Sequence, residues 1–99
     1  MEISQKVYSN LRKVPKGKVT TYKELAKSIN SKAYRYMGYL MKHNKDSINI
    51  PCYKVINSDG SIGNYSGNGG IKTKIKLLKK DGIKIKNKKI DLKKYLHKF

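Results

Sequence analysis

Apolar residues recur at helical spacing through the first half of the chain. Val7, Tyr8, Leu11 and Val14 fall on one face of a helix over residues 4–14, which Ser4 can cap and Pro15 closes. Pro15 to Lys18 reads as a turn, and Val19 and Thr20 as a short extended step. Thr21 starts a second helix: it stands three residues before Glu24, so each side chain can satisfy the other's end amide as a capping box. Leu25, Ala26 and Ile29 supply that helix's buried side before Asn30 and Ser31 break it. Ser31 can cap a third helix over residues 32–42, with Met37, Leu40 and Met41 facing the core. Two short helices joined by a tight polar turn after a leading helix have helix-turn-helix character.

The second half alternates differently. Ile48, Ile50, Val55 and Ile56 flank the chain's only cysteine in the run Asn49-Ile50-Pro51-Cys52-Tyr53-Lys54-Val55-Ile56. Val55 and Ile56 are expected to start a small β-hairpin, turned at Asn57 to Gly60 and returning through Ile62. A glycine-rich loop, Gly63 to Gly70, lacks the lysine-serine or lysine-threonine ending of a phosphate-cradling loop. A fourth helix is expected over residues 71–80, with Ile71, Ile75 and Leu78 on one face, and Asp81-Gly82 ends it. Ile83 and Ile85 read as a short strand, Asn87 to Lys89 as a turn, and Asp91 as the cap of a last small helix carrying Leu92, Tyr95 and Leu96. The pattern implies one mainly α domain over residues 1–99, without internal repeat or linker.

Charge changes the picture. Twenty-four Lys and Arg against six acids give a formal charge of +18 on 99 residues. Self-repulsion on that scale opposes compaction, and a polyanion is the economical partner. All the basic residues except Arg12 and Arg35 are lysines, so a compositional habit accounts for part of the excess. The third helix adds Tyr34, Arg35, Tyr36 and Tyr39, aromatic faces and a guanidinium suited to contact with bases. Gly38 inside it costs up to about 1 kcal/mol against Ala, which close approach of a partner would explain.

The remaining chemistry is a lone thiol. One cysteine cannot form an internal disulfide, and His43 and His97 have no ligand spacing, so neither a metal nor a cofactor is expected. No apolar run is long enough to span a membrane, and the first residues carry no signal-like apolar region. A cytoplasmic protein is expected, nucleoid-associated or nuclear according to the organism, and monomeric. Cys52 suits either a small buried hydrophobe or a nucleophile on a rigid apolar bed.

Four ordered blocks then carry a likeness: residues 14–22, 33–44, 51–56 and 63–67, completed by Leu77-Leu78 and Asp81-Gly82. Over about residues 5–83 the chain resembles the C-terminal catalytic and DNA-binding domain of the O6-alkylguanine-DNA alkyltransferases, leaving a basic C-terminal extension at 84–99. The resemblance implies a winged-helix-like helix-turn-helix domain whose substrate is double-stranded DNA containing O6-alkylguanine. It places Cys52 at the position that accepts the alkyl group irreversibly, so that the protein is consumed. Arg35 matches the arginine that fills the space left by the extruded base. Tyr22 matches the tyrosine near the 3′ phosphate, Asn44 the asparagine bracing the active-site segment, and Tyr65 and Ser66 the lining of the guanine pocket. Ala33, Tyr34, Tyr36 and Gly38 fall on the helix that faces the minor groove.

Departures accompany the likeness. The family's histidine after the cysteine is Tyr53 here, and its glutamate partner is Asp81. Imidazole titrates near 6.5 and phenol near 10, so neutral Tyr53 is a poor base at about pH 7, although nearby lysines can still favour a thiolate. Tyr34, Tyr36 and Tyr39 stand where the family has small residues, and the loop after Gly67 is two residues longer. Alkyltransferase-like proteins that lack the reaction carry tryptophan at the cysteine position; Cys52 argues against that class. Three functions follow from the sequence: a suicide alkyltransferase, a non-catalytic protein that recognises alkyl lesions, and a basic architectural nucleic-acid binder.

Overall fold

The computed structural model describes residues 3–44, 50–63, 65 and 69–99. The first helix, α1 (Ile3–Arg12), buries Val7 and Leu11, one turn apart on its inner face. Its end closes through the amides of Lys13 and Val14, which bond the carbonyls of Asn10 and Leu11, and Val14 drops into the core.

Thr20–Thr21 form β1, and the chain turns directly into α2 (Tyr22–Ser28). The hydroxyl of Thr21 accepts from the Glu24 amide at 3.1 Å, the N-cap half of the expected box. Asn30 takes a left-handed φ of 55° in the link that follows. The next helix, α3 (Tyr34–Lys42), starts two residues later than its pattern implied. Ser31 is not the cap it was expected to be: its hydroxyl accepts from the Ala33 amide at 3.0 Å in the link before the helix, and Ala33 is the N-cap. Met37, Leu40 and Met41 are buried as expected, and α2 packs against both α1 and α3.

The β element is corrected in its pairing. Val55–Ile56 form β2, which runs parallel to β1 with Thr20 opposite Val55 and Thr21 opposite Ile56. The turn at Asn57 to Gly60 exists, closed by the Gly60 amide on the Asn57 carbonyl. The returning segment leaves β2 after one bond, Asn57 N–H to the Ser61 carbonyl, and joins residues 88–90 instead. Ile62 donates to Lys88, and Ile90 donates to Gly60. Gly60 is required at that contact: its φ is +90°, and a Cβ would stand 2.7 Å from the Ile90 carbonyl oxygen.

Helix α4 (Gly70–Lys80) buries Lys74 and Leu78, whereas Ile71, expected inside, is 43% exposed. The inward stripe is therefore Lys74, Ile75 and Leu78, and Ile71 lies one turn too early to reach the core. Past Asp81-Gly82 the Ile83 amide bonds the Leu78 carbonyl and closes the helix end, so the expected strand at 83–85 is replaced by a capping contact. Asn87 and Lys88 both take left-handed φ values in the expected turn, closed by Lys86 and Lys89.

Asp91 caps α5 (Leu92–Tyr95) through its carboxylate and the Lys93 amide. The extension at 84–99 is built into the fold. Val19 donates to Tyr95 and accepts from His97, and Tyr95 and Ile90 pack with Val19, Ile56, Ile62, Leu78 and Ile83 in one core cluster. A second cluster gathers α1, α2, α3, Cys52 and Val55. The cysteine segment lies between the two.

Candidate functional site

Pro51 leads into one turn of 3-10 helix, Cys52–Lys54. Two side chains from outside the segment, Asn44 and Lys74, bond its backbone, and its own Lys54 bonds the backbone of α1's end. The Asn44 amide donates to the Ile50 carbonyl at 2.8 Å. Lys54, itself buried, sends its ammonium to the Val14 carbonyl at 2.9 Å, tying the turn to the end of α1. Lys74 reaches from α4 to the Val55 carbonyl at 2.6 Å. Asn44 thus ties the end of α3 to the residue before Pro51.

Burial lowers the pKa of both lysines, to about 8 for Lys74, and the negative charge that Cys52 can carry works against the fall at Lys74. Neither lysine stood out among the chain's many basic residues. A signal was present: Lys54 interrupts the apolar run from Ile50 to Ile56, and Lys74 is four residues before Leu78 on the helix's inner stripe.

The thiol of Cys52 is 6% exposed and lies at the wall of a cleft of about 560 Å³, within the roughly 300–1,000 Å³ usual for small-molecule sites. Tyr22 at the start of α2, Gly38 and Met41 on α3, and Tyr65 on the loop line the same cleft. Asn57, Gly63 and Lys42 complete its wall, residues not anticipated as site members. Burial raises the Tyr22 pKa and the Cys52 charge adds to it, so the phenol stays protonated beside the thiol. Gly38 would meet nothing within 4 Å if it carried a Cβ. No neighbouring element requires the glycine, and Gly38 lines the cleft. Ser66 lies outside the described residues, as do Asn64, Gly67, Asn68, Ile48 and Asn49.

Tyr53 and Asp81 come together as a pair. The phenol donates to the Asp81 carboxylate at 2.5 Å, which links the cysteine turn to the C-terminal end of α4. Burial pushes the Tyr53 pKa well above its usual value of 10, and the bond to Asp81 pushes it further. Tyr53 therefore holds its proton at neutral pH and serves as a latch, not as a base.

On α3, Ala33 is the N-cap, and Tyr34, Arg35, Tyr36 and Tyr39 are exposed. Arg35 is one turn before Gly38 on α3 and is not among the residues that line the cleft. Tyr34 borders a second, shallower cleft shared with Tyr22, Asn57 and Asp59. Among the described residues, no group of three or more His, Cys, Asp or Glu could hold a metal ion, and no helix is long and apolar enough to cross a membrane.

Comparison with known proteins agrees with this arrangement. The family model for the DNA-binding domain of 6-O-methylguanine DNA methyltransferase matches residues 2–83. The chain is 53% identical over 90 residues to a bifunctional methyltransferase/endonuclease of Picrophilus torridus, which covers 90% of this chain and 30% of that protein. It is 45% identical over 80 residues to the methylated-DNA–protein-cysteine methyltransferase of Rattus norvegicus, covering 80% of this chain and 38% of the relative. The chain thus spans about a third of the length of these curated relatives. Among solved structures, S. pombe Atl1 in complex with damaged DNA containing O6-carboxymethylguanine superposes with a TM-score of 0.87 at 30% identity, over 98% of this chain and 95% of that one. The chain belongs to the 6-O-methylguanine DNA methyltransferase family and carries the fold of its DNA-binding domain.

Proposed function

We propose that this chain repairs O6-alkylguanine in DNA by taking the alkyl group onto the sulfur of Cys52. One observation carries the reading. The chain's single cysteine lines a base-sized cleft, on a turn whose backbone is bonded by Asn44 and Lys74 and whose Lys54 is tied to Val14, beside the second helix of a helix-turn-helix. O6 of guanine is inside the duplex, so the base must leave the stack to reach such a cleft. In this reading exposed Arg35 fills the gap, as the resemblance implies, and Tyr22 and Tyr65, which line the cleft, flank the base.

The chemistry needs no cofactor. The thiolate sulfur attacks the alkyl carbon; a C–S bond forms as the C–O6 bond breaks. Guanine leaves as its anion and takes up a proton, while the thiol proton has already passed to water. The thioether does not revert, so each chain acts once. Tyr53 keeps its own proton, so water takes the thiol proton without an imidazole, and the Lys74 ammonium, which interacts electrostatically with Cys52, is the cation available to the thiolate. Work on genomic DNA would place the chain in the cytoplasm, or in the nucleus of a nucleated cell.

A second reading, lesion recognition without transfer, is favoured by the locked Tyr53 proton and by the likeness to Atl1 along nearly its whole length. A duplex carrying a radiolabelled methyl on O6 of one guanine separates the two. Label is expected on the wild-type chain and not on Cys52→Ala, with duplex binding retained in both. Lesion-selective binding with no label on the wild type would establish the second reading.

A further inference from the structure

The family model ends at residue 83, yet the chain beyond it is no loose tail. Ile90 and Tyr95 are 4% and 8% exposed, inside the core cluster that also holds Val19, Ile56 and Ile62. Ordering a segment costs backbone entropy, and a stretch kept only for its charge has no reason to meet that cost.

The hydrogen bonds of residues 84–99 to the rest of the chain gather at two places, each beside a stretch of the cleft wall. The first is Val19. Its amide donates to the Tyr95 carbonyl at 2.8 Å, and its carbonyl accepts from the His97 amide at 2.7 Å. The Lys18 ammonium adds a bond to the Lys94 carbonyl at 3.0 Å. The strand that follows Val19 leads straight into Tyr22, which lines the cleft. The second place is the turn after β2. Ile90 donates to the Gly60 carbonyl at 2.9 Å, and Ile62 donates to the Lys88 carbonyl at 3.1 Å. Asn57 before this turn and Gly63 after it both line the cleft.

The direct tie between the two places is the pairing of β1 with β2, two residues a side. A two-stranded pair is marginal without lateral support, and strands this short hold few ladder bonds. The extension bonds the residue before β1 and the turn after β2 at once. We propose that residues 84–99 are a positioning clamp for the cleft: they hold its Tyr22 and Asn57–Gly63 stretches in register, and discrimination of an alkylated base depends on them. This rests on the lesion-binding reading of the cleft and deepens it. The clamp touches no substrate and acts through Val19 and Gly60.

His97→Pro tests this on the full chain, with His97→Ala as its control. Both remove the ring and its edge contact with Phe99, and only proline removes the amide that bonds Val19. Leu96 is already extended, at φ −70° and ψ 125°, as a residue before proline must be. Hydrogen exchange of the free protein should quicken in His97→Pro over residues 19–22 and 55–63, and not over α1 or α3. In a Cys52→Ala background, where no transfer disturbs binding, anisotropy compares a duplex holding one O6-methylguanine with the same duplex unmodified. Lesion discrimination is expected to fall by between about 2- and 12-fold relative to His97→Ala, the range for one hydrogen bond. Binding to the unmodified duplex should change less than about 2-fold, since the phosphate contacts remain.

Exchange that quickens equally over α1 and α3 would make the extension a source of general stability and overturn the proposal. Identical exchange in the two variants also overturns it. Equal weakening on both duplexes does the same, and would make the extension a DNA contact. Should His97→Pro lose the fold, Lys18→Met, which removes the ammonium bond to Lys94, gives the exchange readout. A chain with wild-type His97 that binds both duplexes alike would remove the lesion reading, and the exchange result alone would then decide whether the clamp holds the walls.

Discussion

Replacing Lys74 by methionine isolates what a buried cation does under the thiol. The ammonium is 1% exposed, bonds the Val55 carbonyl at 2.6 Å, and titrates near 8 in place of its usual 10.5. Below about pH 8 the lysine is charged in both states, and the folded chain carries the whole desolvation cost. Between about 8 and 10.5 the unfolded chain keeps the proton that the folded chain has lost. Stability therefore rises with pH through this window and levels off above it.

Linkage over that shift gives a gain of about 2 kcal/mol between pH 7 and 9.5. Lys74→Met removes this gain, so the difference between the two proteins should narrow or reverse across the interval. At pH 7 the variant escapes a desolvation cost of about 3 kcal/mol and leaves the Val55 carbonyl with one partner fewer, a loss of about 1–3 kcal/mol. It is expected to be as stable as wild type or slightly more so. It also loses the positive charge that faces the sulfur, and alkylation of the thiol should slow, since the attacking form is the anion. Urea unfolding at half-unit pH steps, with iodoacetamide labelling in parallel, measures both effects. Parallel stability curves from pH 7 to 9.5, or a variant more than about 3 kcal/mol less stable at pH 7, would refute the assignment.

Asn44→Ala removes the brace on Ile50; a stability loss of about 1 kcal/mol by denaturant and a slower transfer to Cys52 are expected, and unchanged transfer would make Asn44 a helix terminator only. Tyr53→Phe removes the latch to Asp81. Because the phenol pKa is raised on folding, its contribution is present below pH 10 and is lost as the pH climbs beyond. The variant should lose about 1–3 kcal/mol at pH 7 in thermal or urea unfolding and show less of the wild type's decline above pH 10. Tyr53→His should speed transfer at pH 7, measured by single-turnover quench, if proton removal limits the step.

Local pattern carried most of the helical architecture. The buried faces of α1, α2 and α3, the Thr21 cap and the Asp91 cap each depend on residues within one or two turns, and the sequence displays them. Long-range pairing was not legible. Thr20–Thr21 meets Val55–Ile56 across more than thirty residues, and two-residue strands have no periodicity to announce a parallel partner. The docking of the extension through Val19 is hidden for the same reason.

Ile71 was expected inside because it is β-branched and apolar, and the buried place beside Leu78 is taken by Lys74, for which the pattern gave no expectation. A lysine is placed inside when a carbonyl waits for it, and that carbonyl comes from a different part of the chain. The thiol stood out from the residues alone, whereas Asn44 and the Tyr53–Asp81 pair became candidates only through the family resemblance. Only the geometry shows that the phenol is a donor in that pair.

The most direct test of the account is the intact mass of the chain after incubation with a duplex holding one O6-methylguanine, followed by peptide mapping. The account predicts a gain of one methyl in place of one hydrogen, confined to Cys52, saturating at one per chain and absent with unmodified guanine. No gain, or a methyl mapped to any other residue, would contradict it.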